Sequence, residues 1–204
     1  MTWNSILCLT FVTLAFGDLA AAEDGKPLSI GDEAPGWKDL VGTDDKKHSL
    51  GDLKEVDAVV VCFTCNSCPY SVDYEDRLIA FQQKYDGENS KVRLIAINSN
   101  AVASDELDKM KERAKEKKFN FAYLRDDTQD IAREFEAIYT PEFYVLNKER
   151  RIVYRGAMDD STKAENVKIN YVEKAVQAVL AGQTPEVTTA GARGCAIRFK
   201  RRRR

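Results

Sequence analysis

The sequence predicts an α/β protein with a mixed central β-sheet covered by helices on both faces. Three observations predict it. Short β-branched apolar runs alternate with longer stretches of helical period. The first such run, Val56 to Phe63, is apolar almost without a break, as a strand buried on both faces must be. The order strand, helix, strand, helix, short strand, helix, hairpin, helix places parallel strands side by side, with sites at their carboxyl ends.

Each element has its own signal. Residues 23–53 are turn-rich, with Gly31-Asp32-Glu33-Ala34-Pro35-Gly36 and Gly42-Thr43-Asp44-Asp45, and leave room for one short hairpin. After the first strand, Tyr70, Tyr74, Leu78, Phe81 and Tyr85 form one helical stripe, which Gly87 breaks. Val92 to Asn98 is a second buried strand. Ser104 is placed to cap a charged helix running to Lys118, with Leu107, Met110 and Ala114 inward. Phe119 to Leu124 reads as a short strand and Thr128 to Ile138 as a short helix. Phe143 to Leu146 and Ile152 to Tyr154 flank Asn147-Lys148-Glu149-Arg150 as an antiparallel hairpin. A last helix starts near Asn170, with Glu173 at the capping-box position, and stops at Gly182 and Pro185.

The 204 residues suit one domain with tails. Ile6 to Leu19 is an apolar run of signal-peptide length, and Ala20, Ala21 and Ala22 offer a small-residue cleavage site. The expected organisation is a signal peptide over 1–22, one domain over 23–184 and a flexible basic tail over 185–204. The protein is expected to be exported, periplasmic or secreted, with no stable membrane insertion. Arg193, Arg198, Lys200 and Arg201 to Arg204 gather positive charge at the tail, although the net charge of the chain is −2. Basic residues on a frayed end do not make a nucleic-acid-binding face, so no nucleic-acid partner is expected.

Cys8 would leave with the signal, and the mature chain keeps Cys62, Cys65, Cys68 and Cys195. Three cysteines within seven residues are not spaced as bridges of a stapled scaffold; they point to redox or metal chemistry. Cys65 and Cys68 form a C-x-x-C at a predicted helix start, where unpaired N–H groups favour a thiolate. Cys65 is the candidate attacking sulfur, and Cys68 is the candidate resolving sulfur.

The strand Val59-Val60-Val61-Cys62-Phe63-Thr64, the motif Cys65-Asn66-Ser67-Cys68-Pro69 and the later Thr140-Pro141 resemble the thioredoxin/redoxin superfamily. From about Gly31 to Gly182 the sequence is most similar to exported bacterial redoxins of the peroxiredoxin-like, AhpC/TSA type. The resemblance implies a thioredoxin-like fold and thiol–disulfide exchange with protein thiols or disulfides, served by a redox partner protein. It also implies that Pro141 follows a cis peptide bond beside the dithiol, with Thr140 and Pro141 binding the substrate chain. No cofactor and no metal are expected.

Departures from the family matter. Thioredoxins carry Trp-Cys-Gly-Pro-Cys, whereas here Thr64 replaces the tryptophan and Asn66-Ser67 the dipeptide. Val59 stands where thioredoxins bury an aspartate. Proton handling at Cys68 and the direction of electron flow therefore do not transfer from the family. A peroxiredoxin-like thiol peroxidase is one alternative, but its Pro-x-x-x-Thr-x-x-Cys pattern is missing: Cys62 and Cys65 occupy the threonine positions. The other alternative is a cysteine-based metal-binding or delivery module using Cys62, Cys65 and Cys68; the cysteine that an iron–sulfur run needs next is lacking. Cys62 reads first as a small buried hydrophobe, and Cys62 and Cys195 are both possible auxiliary thiols. His48 is the one histidine and reads as a loop residue.

Overall fold

A computed structural model describes residues 27–87 and 90–201. The expected signal peptide over 1–22 and the terminal Arg202 to Arg204 lie outside the described residues.

The centre of the fold is built from the β-branched runs. β1 (Leu40–Gly42) and β2 (Lys47–His48) form the expected short hairpin, followed by β3 (Ala58–Phe63), α1 (Pro69–Lys84) and β4 (Val92–Asn98). Next come α2 (Leu107–Lys117), β5 (Ala122–Arg125), α3 (Asp130–Glu134) and β6 (Tyr139–Thr140). β7 (Glu142–Leu146) and β8 (Ile152–Gly156) pair as a hairpin; α4 (Tyr171–Leu180), β9 (Thr189–Ala190) and β10 (Cys195–Ala196) complete the chain.

The main sheet runs β2-β1-β5-β4-β3-β7-β8-β9, and β10 pairs separately with β6. β3, β4 and β5 are parallel neighbours, which requires the crossovers that α1 and α2 supply. β7 returns antiparallel to β3. Every residue of β3 is buried, because helices cover both faces. Ala58, Val60 and Cys62 pack against Tyr74, Leu78 and Phe81 of α1 and Val172, Ala175 and Val176 of α4. Val59, Val61 and Phe63 point to the opposite face, against Trp37, Leu50, Ala132 and Phe135. Burying a side chain such as Leu78 contributes about 1.5–3 kcal/mol. The fold is the predicted α/β class: a mixed sheet between helical layers.

Four local expectations are corrected. Tyr70 lies outside the buried stripe of α1, and Ser71, Glu75 and Gln82 complete the buried face instead. Ser104 does not cap a helix: Ala103–Asp105 forms a separate 3-10 turn, and α2 starts after Glu106. Glu173 makes no capping box; its carboxylate accepts hydrogen bonds from Tyr85 Oη at 2.6 Å and Lys84 Nζ, tying α4 to the end of α1. The segment read as a flexible basic tail runs along the body of the protein as β9 and β10, and Ile197 is buried in the core. Gly156 lets β9 approach: a Cβ there would lie 1.7 Å from the Ala190 carbonyl oxygen.

Candidate active site

The carboxyl ends of β3 and β4 open toward one edge, and the cysteine pair sits there. β3 ends at Phe63, and Thr64 still pairs through its N–H with Ile97 O at 3.0 Å. The chain then turns into α1, with Cys68 in extended conformation as the N-cap and Pro69 in the first turn, where a missing N–H costs nothing. Both sulfurs are withdrawn from solvent: Cys65 is 3% exposed and Cys68 1%.

A buried carboxylate holds the turn between them. Asp105 is fully buried and accepts from Asn66 N at 2.6 Å, Ser67 N at 3.3 Å and Ser67 Oγ at 2.6 Å. The amides of Asn98, the last residue of β4, and Asn100, two residues on, each donate to it at 3.1 Å. Tyr123 of β5 donates to Asn66 Oδ1 at 3.0 Å and accepts from Asn98 Nδ2 at 2.9 Å. Arg125 locks the same loop by donating to the carbonyls of Asn98, Asn100 and Asp105. A charged acceptor strengthens each bond to about 1.5–3 kcal/mol, so the Asn66-Ser67 dipeptide is rigidly placed. Asp105, Asn98, Asn100 and Tyr123 were not singled out from the sequence. Their only signal was the polar run Asn98-Ser99-Asn100 directly after an apolar strand.

Thr140 and Pro141 meet the dithiol from the other side. The Thr140–Pro141 peptide is cis, as the resemblance implies. Cys68 Sγ donates to Thr140 O at 3.0 Å, and Thr140 Oγ1 lies 3.3 Å from Cys65 Sγ. Ser67 Oγ is 3.6 Å from Cys65 Sγ.

These contacts tie the two ionisations together. The hydrogen bond between the sulfurs draws Cys68 down to about 4 against its burial, helped by the Cys195 thiol and by the N–H groups of Ser71 and Cys195. The same hydrogen bond, then burial and the Asp105 charge, push Cys65 up; the Thr140 and Ser67 hydroxyls oppose this. The dithiol thus titrates as one unit, losing its first proton at low pH and holding the second between the sulfurs.

The remaining candidates fall elsewhere. Cys62 faces the α1–α4 side in an apolar cluster, and burial pushes its thiol up. Cys195 lies on β10, directly opposite Thr140. His48 pairs with Asp44 at 3.0 Å on the β1–β2 turn, away from the cysteines. Among the described residues, no three His, Cys, Asp or Glu side chains group as a metal site, and no helix is long and apolar enough to cross a membrane.

A sheet of this topology with a C-x-x-C at the start of α1 and a cis-proline beside it defines a thioredoxin-like redoxin. The family model of the AhpC/TSA family matches residues 30–155, and the chain belongs to that family. An uncharacterized conserved protein from Geobacillus kaustophilus is similar over 85% of this chain and 94% of its own, at 30% identity and a TM-score of 0.78. A peroxidoxin from Mycobacterium tuberculosis shares the fold at 16% identity and a TM-score of 0.58, over 76% of this chain and 98% of its own. The thioredoxin domain of a thiol-disulfide oxidoreductase from Bacteroides vulgatus does so at 18% identity and a TM-score of 0.53, over 63% of this chain and 89% of its own. No curated protein matches the sequence.

Proposed function

We propose that this protein is a thiol–disulfide oxidoreductase acting on protein thiols and disulfides outside the cytoplasm. One observation carries the activity: the two sulfurs of Cys65 and Cys68 meet at the amino end of α1, Cys65 against the Thr140 hydroxyl at 3.3 Å and Cys68 against the Thr140 carbonyl at 3.0 Å. Export rests on the apolar run Ile6 to Leu19 and the alanines after it.

In the reducing direction Cys65 attacks as thiolate. It bonds to one sulfur of the substrate disulfide, and the other sulfur leaves as thiolate and takes up a proton. Cys68 then attacks Cys65 Sγ, releases the second substrate thiolate and closes the Cys65–Cys68 bond. The protein has lost two electrons, and the substrate has gained them. The first ionisation of the coupled pair leaves the charge on Cys68, and Cys65 becomes the attacking thiolate by passing its proton to Cys68 as it meets the substrate. Thr140 and Pro141 are proposed to guide the substrate chain, because Thr140 meets Cys68 through its carbonyl and Cys65 through its hydroxyl, beside the cis bond to Pro141.

The test is equilibration of the reduced protein in glutathione redox buffers, with trapping of free thiols and mass analysis. A two-electron couple that joins Cys65 and Cys68, with that bond absent from Cys65→Ser and retained in Cys195→Ser, is the expected result. A potential near roughly −270 mV marks a reductant, and one near roughly −120 mV an oxidant. Absence of any Cys65–Cys68 couple overturns the reading, as does steady hydroperoxide consumption with a thiol donor and no disulfide exchange.

A further inference from the structure

The tail is the part of the molecule that the exchange reading leaves unused, and it is built onto the site with care. β10 adds to the edge of β6 with Cys195 opposite Thr140 and Ala196 opposite Tyr139. Gly194 sits so close to that edge that a Cβ would lie 2.1 Å from Thr140 O and 2.6 Å from its carbonyl carbon. Only glycine fits before the cysteine. Beyond it, Ile197 N donates to Ile138 O at 2.8 Å, and Arg198 N to Asn100 Oδ1 at 2.7 Å. Asn100 is also the residue that donates to Ser67 Oγ at 3.0 Å, so one side chain ties the tail to the dithiol turn. Gln129 holds the tail on both sides of Phe199, through Arg198 O and Lys200 N.

We propose that Cys195 is a third redox thiol, which takes over the disulfide of the oxidised protein by forming a Cys68–Cys195 bond between the start of α1 and β10, the two segments that meet at Thr140. The proposal rests on the exchange reading above and deepens it. The step is an exchange and needs no outside oxidant. Cys195 gives up its proton and attacks Cys68 Sγ of the Cys65–Cys68 disulfide; the old S–S bond breaks toward Cys65, which leaves as thiolate and takes the proton. One disulfide and one thiol stand on each side. Electrons and protons balance.

The surroundings favour this step. In the reduced protein the hydrogen bond to Cys68 pushes Cys195 up to about 11, with Arg198 acting the other way. Once Cys68 is in a disulfide it carries no charge, so the main cause of that rise is removed, while Arg198 remains. The departing Cys65 holds a proton strongly, because burial and the Asp105 charge disfavour its thiolate. Proton affinity therefore drains from the attacking sulfur and collects on the leaving one. The product leaves Cys65 as a free thiol next to a tail strand that now carries the oxidised bond.

The test oxidises the full chain and three variants, Cys65→Ser, Cys195→Ser and Gly194→Ala, with oxidised glutathione. Each is acid-quenched, alkylated, digested and mapped by mass without reduction. The wild type is expected to show two species: one with Cys65–Cys68 joined and Cys195 alkylated, the other with Cys68–Cys195 joined and Cys65 alkylated. Cys65→Ser should form the Cys68–Cys195 bond within one chain. In Cys195→Ser, Cys65 alkylation of oxidised protein should vanish. In Gly194→Ala the Cys68–Cys195 species should fall at least about tenfold while Cys65–Cys68 still forms, since the strand is pushed off the β6 edge. If oxidised wild type contains Cys65–Cys68 only, or Cys65→Ser joins Cys68 and Cys195 only between chains, the proposal is overturned and the exchange reading stands. If no Cys65–Cys68 bond ever forms, both fail together.

Discussion

Cys62 and Cys65 are three residues apart, and both sulfurs are hidden from solvent, yet they belong to different chemical worlds. Cys62 lies within β3, enclosed by Tyr74, Leu78 and Val172, and burial alone pushes its thiol up. Cys65 lies just past the end of the strand, where Thr140, Ser67 and Cys68 offer polar contacts and Asp105 fixes the turn. Burial therefore does not decide reactivity here. What differs is polar company: the strand interior supplies only side-chain packing, whereas the open carboxyl edge supplies loop amides, hydroxyls and a second sulfur.

The widest gap expected between the strand interior and the dithiol edge is in titration, and it is carried by Cys68, the partner of Cys65. Cys68 is drawn down to about 4, below the ordinary thiol value, so its charge is present above that pH and is lost as pH falls through it. The reduced protein should keep a thiolate at pH 6, read by ultraviolet thiolate absorbance. Cys68→Ser should abolish it, and Cys62→Ser should not. A thiolate appearing only near pH 8.5, the free-thiol value of about 8.5, would erase the distinction.

Stability gives the next contrast. Asp105→Ala strands the donors of Asn66, Ser67, Asn98 and Asn100 and should cost about 3 kcal/mol or more in urea unfolding. Cys62→Ala leaves only a small cavity and should cost about 1–2 kcal/mol, with the Cys65–Cys68 couple unmoved. An equal loss in the two variants would mean that the polar network is no stronger than packing. The smallest effect should come from Thr140→Val. Removing the hydroxyl beside Cys65 withdraws a contact that favours its thiolate, so ionisation of Cys65 should shift to higher pH.

The same contrast explains what was legible in the sequence. β3, β4 and the β7–β8 hairpin announce themselves because a strand covered on both faces must be apolar throughout, and Val59-Val60-Val61 and Leu94-Ile95-Ala96-Ile97 are. The dithiol was equally plain from its spacing at a helix start. The residues around it were not. Ser104-Asp105 looks like a helix cap, and only the approach of Asn66 and Ser67 from 39 and 38 positions away in the chain reveals its work. β9 and β10 are two residues each, too short to show a period of two, and the basic residues around β10 read as a frayed end. Their meaning lies in close approach to Gly156 and Thr140, which no local pattern records.

The docking of β10 on β6 also sets a contest of concentrations. The strand edge beside the dithiol is held by a segment of the same chain, so any outside polypeptide competes with a tethered rival whose effective concentration is roughly millimolar. A target strand present at far lower concentration wins only if it binds that edge much more tightly, or if its disulfide traps Cys65 covalently during the moments when the tail is away. Selection at this site would then fall on the reactivity of the target disulfide more than on the fit of its backbone.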